Sequence, residues 1–187
     1  TAVVAALYGD ETAENAGSVF VFTRSNGIWS FQQELHVADT IGNGYFGDVV
    51  AIENDTIVVG ARSTDVYTGS AYVFKRENNV WTQTAKLVAN DAAPVANFGS
   101  SVDIENSTIV IGARLDSETE YRSGAVYIFN EQDGNWTQTQ KLKDPTPVDQ
   151  GTFGTSVSLE GDLLLVGAIS IPGQPASAGK AILFQLD

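Results

Sequence analysis

Acidic side chains cluster in the longest connections of this sequence, and they are the residues best suited to chemistry. These candidate ligand-binding residues are Asp10, Glu11, Glu14, Asp65, Asp116, Glu118 and Glu120. Carboxylate oxygens are the preferred ligands of calcium, and two carboxylates that flank a glycosidic bond can hydrolyse it. The fourth equivalent connection, AISIPGQPASAGK, contains no acid, so such a site is not repeated along the chain. We interpret these residues as solvated acids on variable connections, where binding sites commonly arise.

No nucleophile or metal-binding motif accompanies these acids. His36 is the single histidine, and QELHVAD around it resembles no nucleophile motif. The chain has no cysteine, which excludes disulfides and thiolate metal ligands. An acidic chain offers many accidental carboxylate pairs, and none of them is specific. The sequence therefore predicts no catalytic residue, no metal site and no cofactor. Weak calcium binding in the acidic connections is the alternative, which we do not expect.

The charge balance is strongly acidic. The chain has 10 basic and 23 acidic residues, a formal net charge of −13. Such a charge repels phosphate backbones and anionic membrane surfaces, so nucleic acid is excluded as a partner. No apolar run reaches the roughly 18–20 residues that span a bilayer, so membrane insertion is not expected. The length of 187 residues suffices for one domain with its own core.

Four sequence landmarks repeat with one period. The Phe-Gly pairs are Phe46-Gly47, Phe98-Gly99 and Phe153-Gly154, with spacings of 52 and 55 residues. Gly-Ala pairs follow at 60, 112 and 167 with the same spacings. The other landmarks are the GSVFVF type of segment, at 17, 69, 124 and 179, and the segments that begin at Trp29, Trp81 and Trp136. A period of about 50 residues indicates a repeat architecture.

Each repeat contains four short apolar segments separated by turn residues, a pattern typical of strands. The second segment, such as STIVIGA, is apolar at consecutive positions, so both of its faces should be covered. The sequence therefore predicts an all-β fold of β-propeller blades, each of four antiparallel strands. We predict one propeller segment with a partial blade at 1–45, full blades at 46–97 and 98–152, and a partial blade at 153–187. Fourteen strands amount to about 3.5 blades.

These landmarks resemble the FG-GAP repeat, named for its Phe-Gly and Gly-Ala-Pro positions and found in the seven-bladed propeller heads of integrin α subunits. The resemblance covers essentially the whole chain and implies part of a seven-bladed propeller. Two departures are plain: Arg62, Arg114 and Ile169 replace the proline, and the first hairpin is only ENDT, ENST or EGDL. Calcium wants about six to eight oxygen ligands, so the calcium loop of integrin-type repeats does not carry over. The chain resembles the calcium-loop-free branch.

Further residues recur at fixed repeat positions and have structural interpretations. Aspartates lie 7 to 9 residues before each Phe-Gly pair and are interpreted as turn formers, with ligand contact as the alternative: Asp39, Asp91 and Asp144. Glutamates open the first hairpins and should share a face near the channel mouth: Glu53, Glu105 and Glu160. The three tryptophans could stack on sugars, but their repeated position favours packing between blades.

Three sequons provide candidate glycosylation sites. They are Asn54-Asp-Thr, Asn106-Ser-Thr and Asn135-Trp-Thr. Sequons are used only in a secretory context, and an Asn- and Thr-rich chain forms some by accident. They agree with an extracellular or cell-surface protein, which the resemblance also implies.

The function predicted from these features is a non-enzymatic extracellular or cell-surface module for adhesion, protein or glycan binding, or assembly. The alternatives are a propeller-fold glycosidase or lyase, and a purely structural repeat of a filament or surface layer. A propeller fold alone identifies no activity. The strand count leaves the first and last blades one strand short, so we expect flanking blades or another copy of the chain as partners.

Overall fold

The computed structural model describes residues 1–8, 16–37, 39, 44–169 and 179–186, and its regular structure is almost entirely β. The strands are β1 Ala2–Ala6, β2 Ser18–Ser25, β3 Ile28–Leu35, β4 Val49–Glu53, β5 Thr56–Ala61, β6 Ser70–Glu77, β7 Val80–Leu87, β8 Phe98–Glu105, β9 Thr108–Ala113, β10 Ala125–Gln132, β11 Asn135–Lys143, β12 Phe153–Glu160, β13 Leu163–Ala168 and β14 Lys180–Gln185. A single turn, Thr64–Tyr67 (α1), is the one helical segment in these ranges. Within them, no helix is long and apolar enough to cross a membrane.

The strands form four antiparallel sheets in chain order, which we call the first to fourth blades. The first blade is β1-β2-β3, the second β4-β5-β6-β7, the third β8-β9-β10-β11 and the fourth β12-β13-β14. Successive strands pair as simple hairpins throughout. A register shift between the third and fourth strands recurs in the first three blades, and such bulges increase the local twist. The predicted all-β fold of partial and full propeller blades is confirmed.

Each blade has two different ends. The Phe-Gly pairs, the connections between second and third strands and the blade-to-blade connections all lie at one end, which we call the loop end. The short hairpins between first and second strands, and between third and fourth strands, lie at the opposite hairpin end. Neighbouring blades approach each other most closely along their first strands, which places those strands innermost.

Backbone hydrogen bonds join each blade to the next at the loop end. The amide of Phe98 donates to the carbonyl of Thr68 at 2.9 Å, and the amide of Phe153 donates to the carbonyl of Ser123 at 2.8 Å. Gly69 lies so close to this joint that an added Cβ would sit 2.0 Å from the Phe98 carbonyl oxygen. Its φ of +89° is also one that glycine adopts readily. The joint therefore requires glycine at the start of the third strand.

The hydrophobic core is a series of clusters between blades. Between the second and third blades, Val58 of β5 packs with Phe98 of β8 and Tyr127 of β10. Equivalent clusters lie between the first and second blades and between the third and fourth. In β9 the consecutive residues Ile109 and Val110 are both fully buried, because a blade covers each face of their sheet. This agrees with the consecutive apolar residues of the second strands.

The three tryptophans differ in burial although their local sequences are alike. Trp81 is 2% exposed, and the side chain of Gln33 in the first blade bonds its backbone N–H and carbonyl. Trp136 is half-buried against the cluster between the second and third blades. Trp29 is 49% exposed, so packing between blades does not hold for this residue. The reason is that each tryptophan packs onto the preceding blade, and none of the described residues covers that side of the first blade.

Candidate functional site

The predicted acidic residues lie at the loop end, in the connections between second and third strands. Asp65 is exposed within α1, and Glu118 and Glu120 are exposed between β9 and β10, whereas Asp116 is 3% exposed. The structure brings Asp116 and Glu118 together on one lysine, and it places Asp65 near Lys86 at 3.8 Å. The other three candidates lie outside the described residues: Asp10, Glu11 and Glu14.

Lys141 of β11 is the centre of this cluster. Its Nζ lies 2.5 Å from Asp91 Oδ2, 3.1 Å from Asp116 Oδ2 and 2.7 Å from Glu118 Oε2. The ammonium also lies 5.0 Å from the centroid of the Tyr127 ring, whose hydroxyl donates to Asp116 at 3.1 Å. Three carboxylates from two connections thus share one cation.

The lysine lowers the pKa values of two of the carboxylates around it, those of Asp91 and Glu118. Burial alone would lower the pKa of Lys141, but hydrogen bonds to Asp91 and Glu118 outweigh burial and raise this pKa. Hydrogen bonds from Lys141 and Lys143 lower the pKa of Glu118 to about 2. For Asp91, burial acts to raise the pKa, but the bond to Lys141 lowers it overall. A general acid of a glycosidase needs a raised pKa, so Glu118 and Asp91 are suited to ion pairing rather than to proton donation.

The cluster is occupied by its own cation. The Lys141 ammonium lies among the carboxylates where a bound metal ion would have to lie. Across the described part of the chain, no group of three or more acidic or histidine side chains is arranged to hold a metal ion. His36 directly follows the outer strand of the first blade and lies 3.6 Å from Glu34 of that strand.

The arrangement of lysine, aspartate and tyrosine is repeated one blade earlier. Lys86 lies 2.7 Å from Asp39 and 5.5 Å from the centroid of the Tyr72 ring. In both cases the aspartate follows the outer strand of one blade and the lysine belongs to the outer strand of the next. The fourth blade has a variant, in which Lys180 of β14 pairs with the buried Asp144 at 2.5 Å. We call these contacts the interblade ion pairs.

The sequence analysis interpreted Asp39, Asp91 and Asp144 as turn formers and did not predict that each pairs with a lysine of the next blade. A signal was present in the sequence, because WTQTAKL and WTQTQKL carry lysine at one position and an aspartate recurs before each Phe-Gly pair. Opposite charges that recur with one period indicate a contact that is repeated between blades.

A groove of about 390 Å³ lies beside Lys141. Its polar lining includes the lysine and its three carboxylates, and its apolar lining includes Pro94, Ala96 and Leu115. Both the blade-to-blade connection and the connection between β9 and β10 contribute to it. The groove therefore opens at the loop end, where variable connections meet.

Exposed tyrosines mark the same end in three successive blades. Tyr8, Tyr67 and Tyr121 are 68%, 51% and 56% exposed, and each lies in the connection between a second and a third strand. Asp65, Val66 and Tyr67 all have left-handed φ angles, from 49° to 62°, a conformation that costs energy in non-glycine residues. Sequence reasoning missed these tyrosines, although one tyrosine in each of the first three of these connections was a signal.

The hairpin end carries the sequons. Asn54 and Asn106 lie in the hairpins between first and second strands, Asn135 begins β11, and all three are exposed. Glu53 and Glu105 lie at the same end, and Glu105 Oε2 accepts a hydrogen bond from the backbone of the fourth blade. Any glycan on these asparagines would leave the loop end uncovered.

A comparison with models of protein families matches the FG-GAP repeat at residues 29–74, 81–129 and 136–184. These three matches cover well over half of the chain. The chain belongs to the FG-GAP repeat family. No curated protein matches the sequence.

Each matched FG-GAP unit begins at a tryptophan of an outer strand and ends at a phenylalanine of the third strand in the next blade: Phe74, Phe129 or Phe184. A unit therefore combines the outer strand of one blade with the first three strands of the next. In this member of the family, β4 ends at Glu53 and β5 begins at Thr56. Two intervening residues are too few to form a calcium loop with six or more oxygen ligands.

Proposed function

We propose that this FG-GAP propeller segment is a non-enzymatic module of the extracellular space or the cell surface that binds a protein or glycan ligand at its loop end. The observation that carries this proposal is the row of exposed tyrosines, Tyr8, Tyr67 and Tyr121, in three successive blades. Tyrosine offers a large, rigid contact surface with an apolar ring and a polar tip. Exposed aromatic residues on connections held by a rigid scaffold are typical of recognition surfaces.

The groove beside Lys141 also favours the loop end as the binding surface. It combines apolar walls with fixed charges, and ligand sites commonly have this composition. The low pKa of Glu118 and of Asp91 argues against acid catalysis there, which favours binding over the glycosidase alternative. The sequons at the opposite end are compatible with a glycosylated surface protein that keeps its loop end free.

Binding to glycan arrays and to extracellular protein libraries tests the proposal. The purified chain, a Tyr67→Ala/Tyr121→Ala variant and a Val80→Ala control should be compared, since Val80 is exposed at the hairpin end. We expect the double variant to lose at least about tenfold in affinity, as interface hot spots do, and Val80→Ala to bind normally. Circular dichroism would verify that all three proteins are folded. Turnover of a glycoside that a single carboxylate substitution abolishes would instead establish the enzymatic alternative.

Assembly is a second function that a specific observation favours. Leu165 of β13 is 46% exposed, whereas the equivalent Val110 of β9 is fully buried by the next blade. Leu183 of β14 is 61% exposed, whereas the equivalent Ile128 of β10 is 2% exposed. On the opposite face of the array, Trp29 of the first blade is 49% exposed, whereas the equivalent Trp81 of the second blade is 2% exposed. The two outward faces are thus the two halves of the interface that the inner blades form with each other.

We propose that these two faces pair with a further blade of the same kind, which for the chain alone is a second copy. Two copies would supply eight sheets, four with four strands and four with three, and propellers usually have four to eight blades. A half-turn about the axis of an eight-bladed ring moves every blade onto another blade, so two-fold closure is allowed. Such closure is impossible in a seven-bladed ring.

Light scattering over a range of protein concentrations tests this assembly. The chain should form dimers, and Leu183→Lys should shift it to monomers because an unpaired charge would be buried at the interface. Val88→Lys is a matched control, since Val88 is also exposed but lies outside both faces. A wild-type chain that stays monomeric at high concentration would contradict self-assembly.

A further inference from the structure

Two arginines occupy equivalent positions at the loop end of neighbouring blades. Arg62 directly follows β5 and Arg114 directly follows β9. One short segment before and within β8 holds both backbones: Asn97 Nδ2 donates to the carbonyl of Arg62 at 3.4 Å, and the amide of Arg114 donates to Ser100 Oγ at 3.3 Å. The second and third blades therefore present the two arginines side by side, close to the innermost strands.

One carboxylate, that of Asp48, contacts Arg62 and interacts with Arg114 only through longer-range electrostatic attraction. Asp48 Oδ2 lies 3.2 Å from Arg62 Nε, and the side chain of Asp48 is only 10% exposed. Arg114 is half-buried, and its Nε is buried without a hydrogen-bond partner among the described residues. A buried donor that lacks a partner is costly, and because this Nε is closed to solvent, a ligand oxygen would contact the other two guanidinium nitrogens of Arg114.

Arg62, Arg114 and Asp48 together carry two positive charges and one negative charge, which leaves one surplus positive charge. Burial lowers the pKa of Arg114, repulsion from Arg62 lowers it further, and attraction to Asp48 opposes both. Burial raises the pKa of Asp48, although both arginines act to lower it. Two cations with one anion stand out in a chain whose net charge is −13.

We propose that Arg62 and Arg114 bind the carboxylate group of an acidic glycan at the loop end. This inference rests on the proposed binding function and adds the chemical class of the ligand. A guanidinium group matches a carboxylate with two parallel N–H donors, and a monoanion neutralises the single surplus charge. A phosphate dianion would add a second negative charge to an already acidic protein. Tyr67 and Tyr121 on the same end provide rings that can pack against the sugar.

A nuclear magnetic resonance titration of the ¹⁵N-labelled chain with sodium glucuronate tests the proposal. Glucose serves as the neutral control and inorganic phosphate as the dianion, with sodium chloride keeping the ionic strength constant. Glucuronate should cause saturable shifts at the amides of Asn97, Ser100 and Arg114, and glucose should cause none. Phosphate should bind more weakly than glucuronate.

Four variants separate a binding role from a structural one. Arg114→Gln should weaken glucuronate binding at least about tenfold, since a charged hydrogen-bond donor is lost. Arg114→Lys should weaken it less, because the charge remains without the planar fork. Asp48→Asn should strengthen binding, because it leaves both guanidinium groups uncompensated. Arg76→Gln is the control, since Arg76 pairs with Asp55 at the hairpin end.

The results that would refute the carboxylate site differ from those that would refute ligand binding at the loop end. Absence of saturable shifts, equal shifts with glucose, tighter binding of phosphate, or unchanged binding in Arg114→Gln would each refute the carboxylate site. Should Arg114→Gln fail to fold, Arg114→Lys and Asp48→Asn still give opposite expected changes. If the glycan array yields a neutral ligand that Arg114→Gln binds normally, the carboxylate site is refuted while the proposed binding function stands.

Discussion

The ammonium group of Lys86 lies 2.7 Å from the carboxylate of Asp39, although the two residues belong to different blades and are 47 positions apart. Lys141 and Asp91 form the same contact one blade later at 2.5 Å, across 50 positions. Each pair joins the connection that leaves one blade to the outer strand of the next. The interblade ion pairs thus act at the periphery, while apolar clusters and backbone hydrogen bonds act closer to the axis.

Removal of Lys141 should destabilise the fold more than removal of Lys86. Lys141→Met leaves the carboxylate of Asp116 without its cation, and that side chain is only 4% exposed. We expect a loss of about 2–4 kcal/mol, because a buried charge loses its partner. Lys86→Met leaves Asp39 and Asp65, whose side chains are 44% and 63% exposed, and should cost less than about 1 kcal/mol. Urea unfolding measures both, and equal losses would contradict the assignment.

Acid should remove the contribution of Glu118 to stability. Its folded pKa of about 2 lies below the ordinary value of 4.5, so the contribution is fully present above pH 4.5 and is lost as the pH falls towards 2. The stability difference between wild type and Glu118→Gln should therefore narrow over this range. Urea unfolding at several pH values measures it, and a constant difference down to pH 2 would refute the argument. Because Glu118 is exposed, added salt should also reduce the difference at neutral pH.

Phe98 should be among the most sensitive core positions. It is 1% exposed, and its ring meets those of Tyr127 and Phe129 at centroid distances of 5.3 and 6.1 Å. Phe98→Ala should cost roughly 3–5 kcal/mol through lost burial and a cavity. Phe31→Ala is the matched control on an exposed ring and should cost far less. A loss below about 1 kcal/mol for Phe98→Ala would contradict its position in the interblade core.

Two glycines with similar backbone angles should respond differently to alanine. Gly27 has φ +83°, and no atom of the described residues lies within 4 Å of an added Cβ, whereas Gly69 has φ +89° and the Phe98 carbonyl oxygen at 2.0 Å. Gly27→Ala pays only the left-handed backbone cost of about 1–2 kcal/mol. Gly69→Ala should lose about 1–3 kcal/mol more, because the blades must separate. Equal thermal shifts for the two variants would argue against the tight joint.

Chelation of divalent cations should leave the stability of the chain unchanged. The hairpin between β4 and β5 has two residues, and Lys141 already compensates the acidic cluster beside the groove. Thermal unfolding with and without a chelator should therefore give the same midpoint. A large decrease on chelation would identify a calcium site in the acidic connections.

The sequence predicted the strands well because they depend on local pattern. Consecutive apolar residues and the turn residues between them act over a few positions, and the same patterns recur in each repeat. The different burial of Trp29 and Trp81 could not be predicted from local pattern, because the sequences around them are alike. Their burial depends on whether a neighbouring blade covers them.

The candidate site was predictable only in part for the same reason. The acids of the third connection were identified, and the structure unites Asp116 and Glu118 through Lys141. The pairing of Asp39 with Lys86 depends on how two blades are oriented, which no local pattern specifies. The arginines after β5 and β9 stood out only as departures from the proline of the family, and their electrostatic coupling follows from the tertiary structure.

The close approach of Gly60 to the third blade has a consequence for how such proteins diversify. A methyl group on Gly60 would lie 2.2 Å from the Gly99 carbonyl oxygen, and one on Gly112 would lie 2.1 Å from the Gly154 carbonyl oxygen. Close main-chain contacts at these glycines therefore help to set the rotation from one of these blades to the next. Connections at the loop end can change in length and chemistry without altering that rotation. A duplicated or transplanted blade would enter the array at the same angle, so new recognition surfaces can arise by exchange of whole blades.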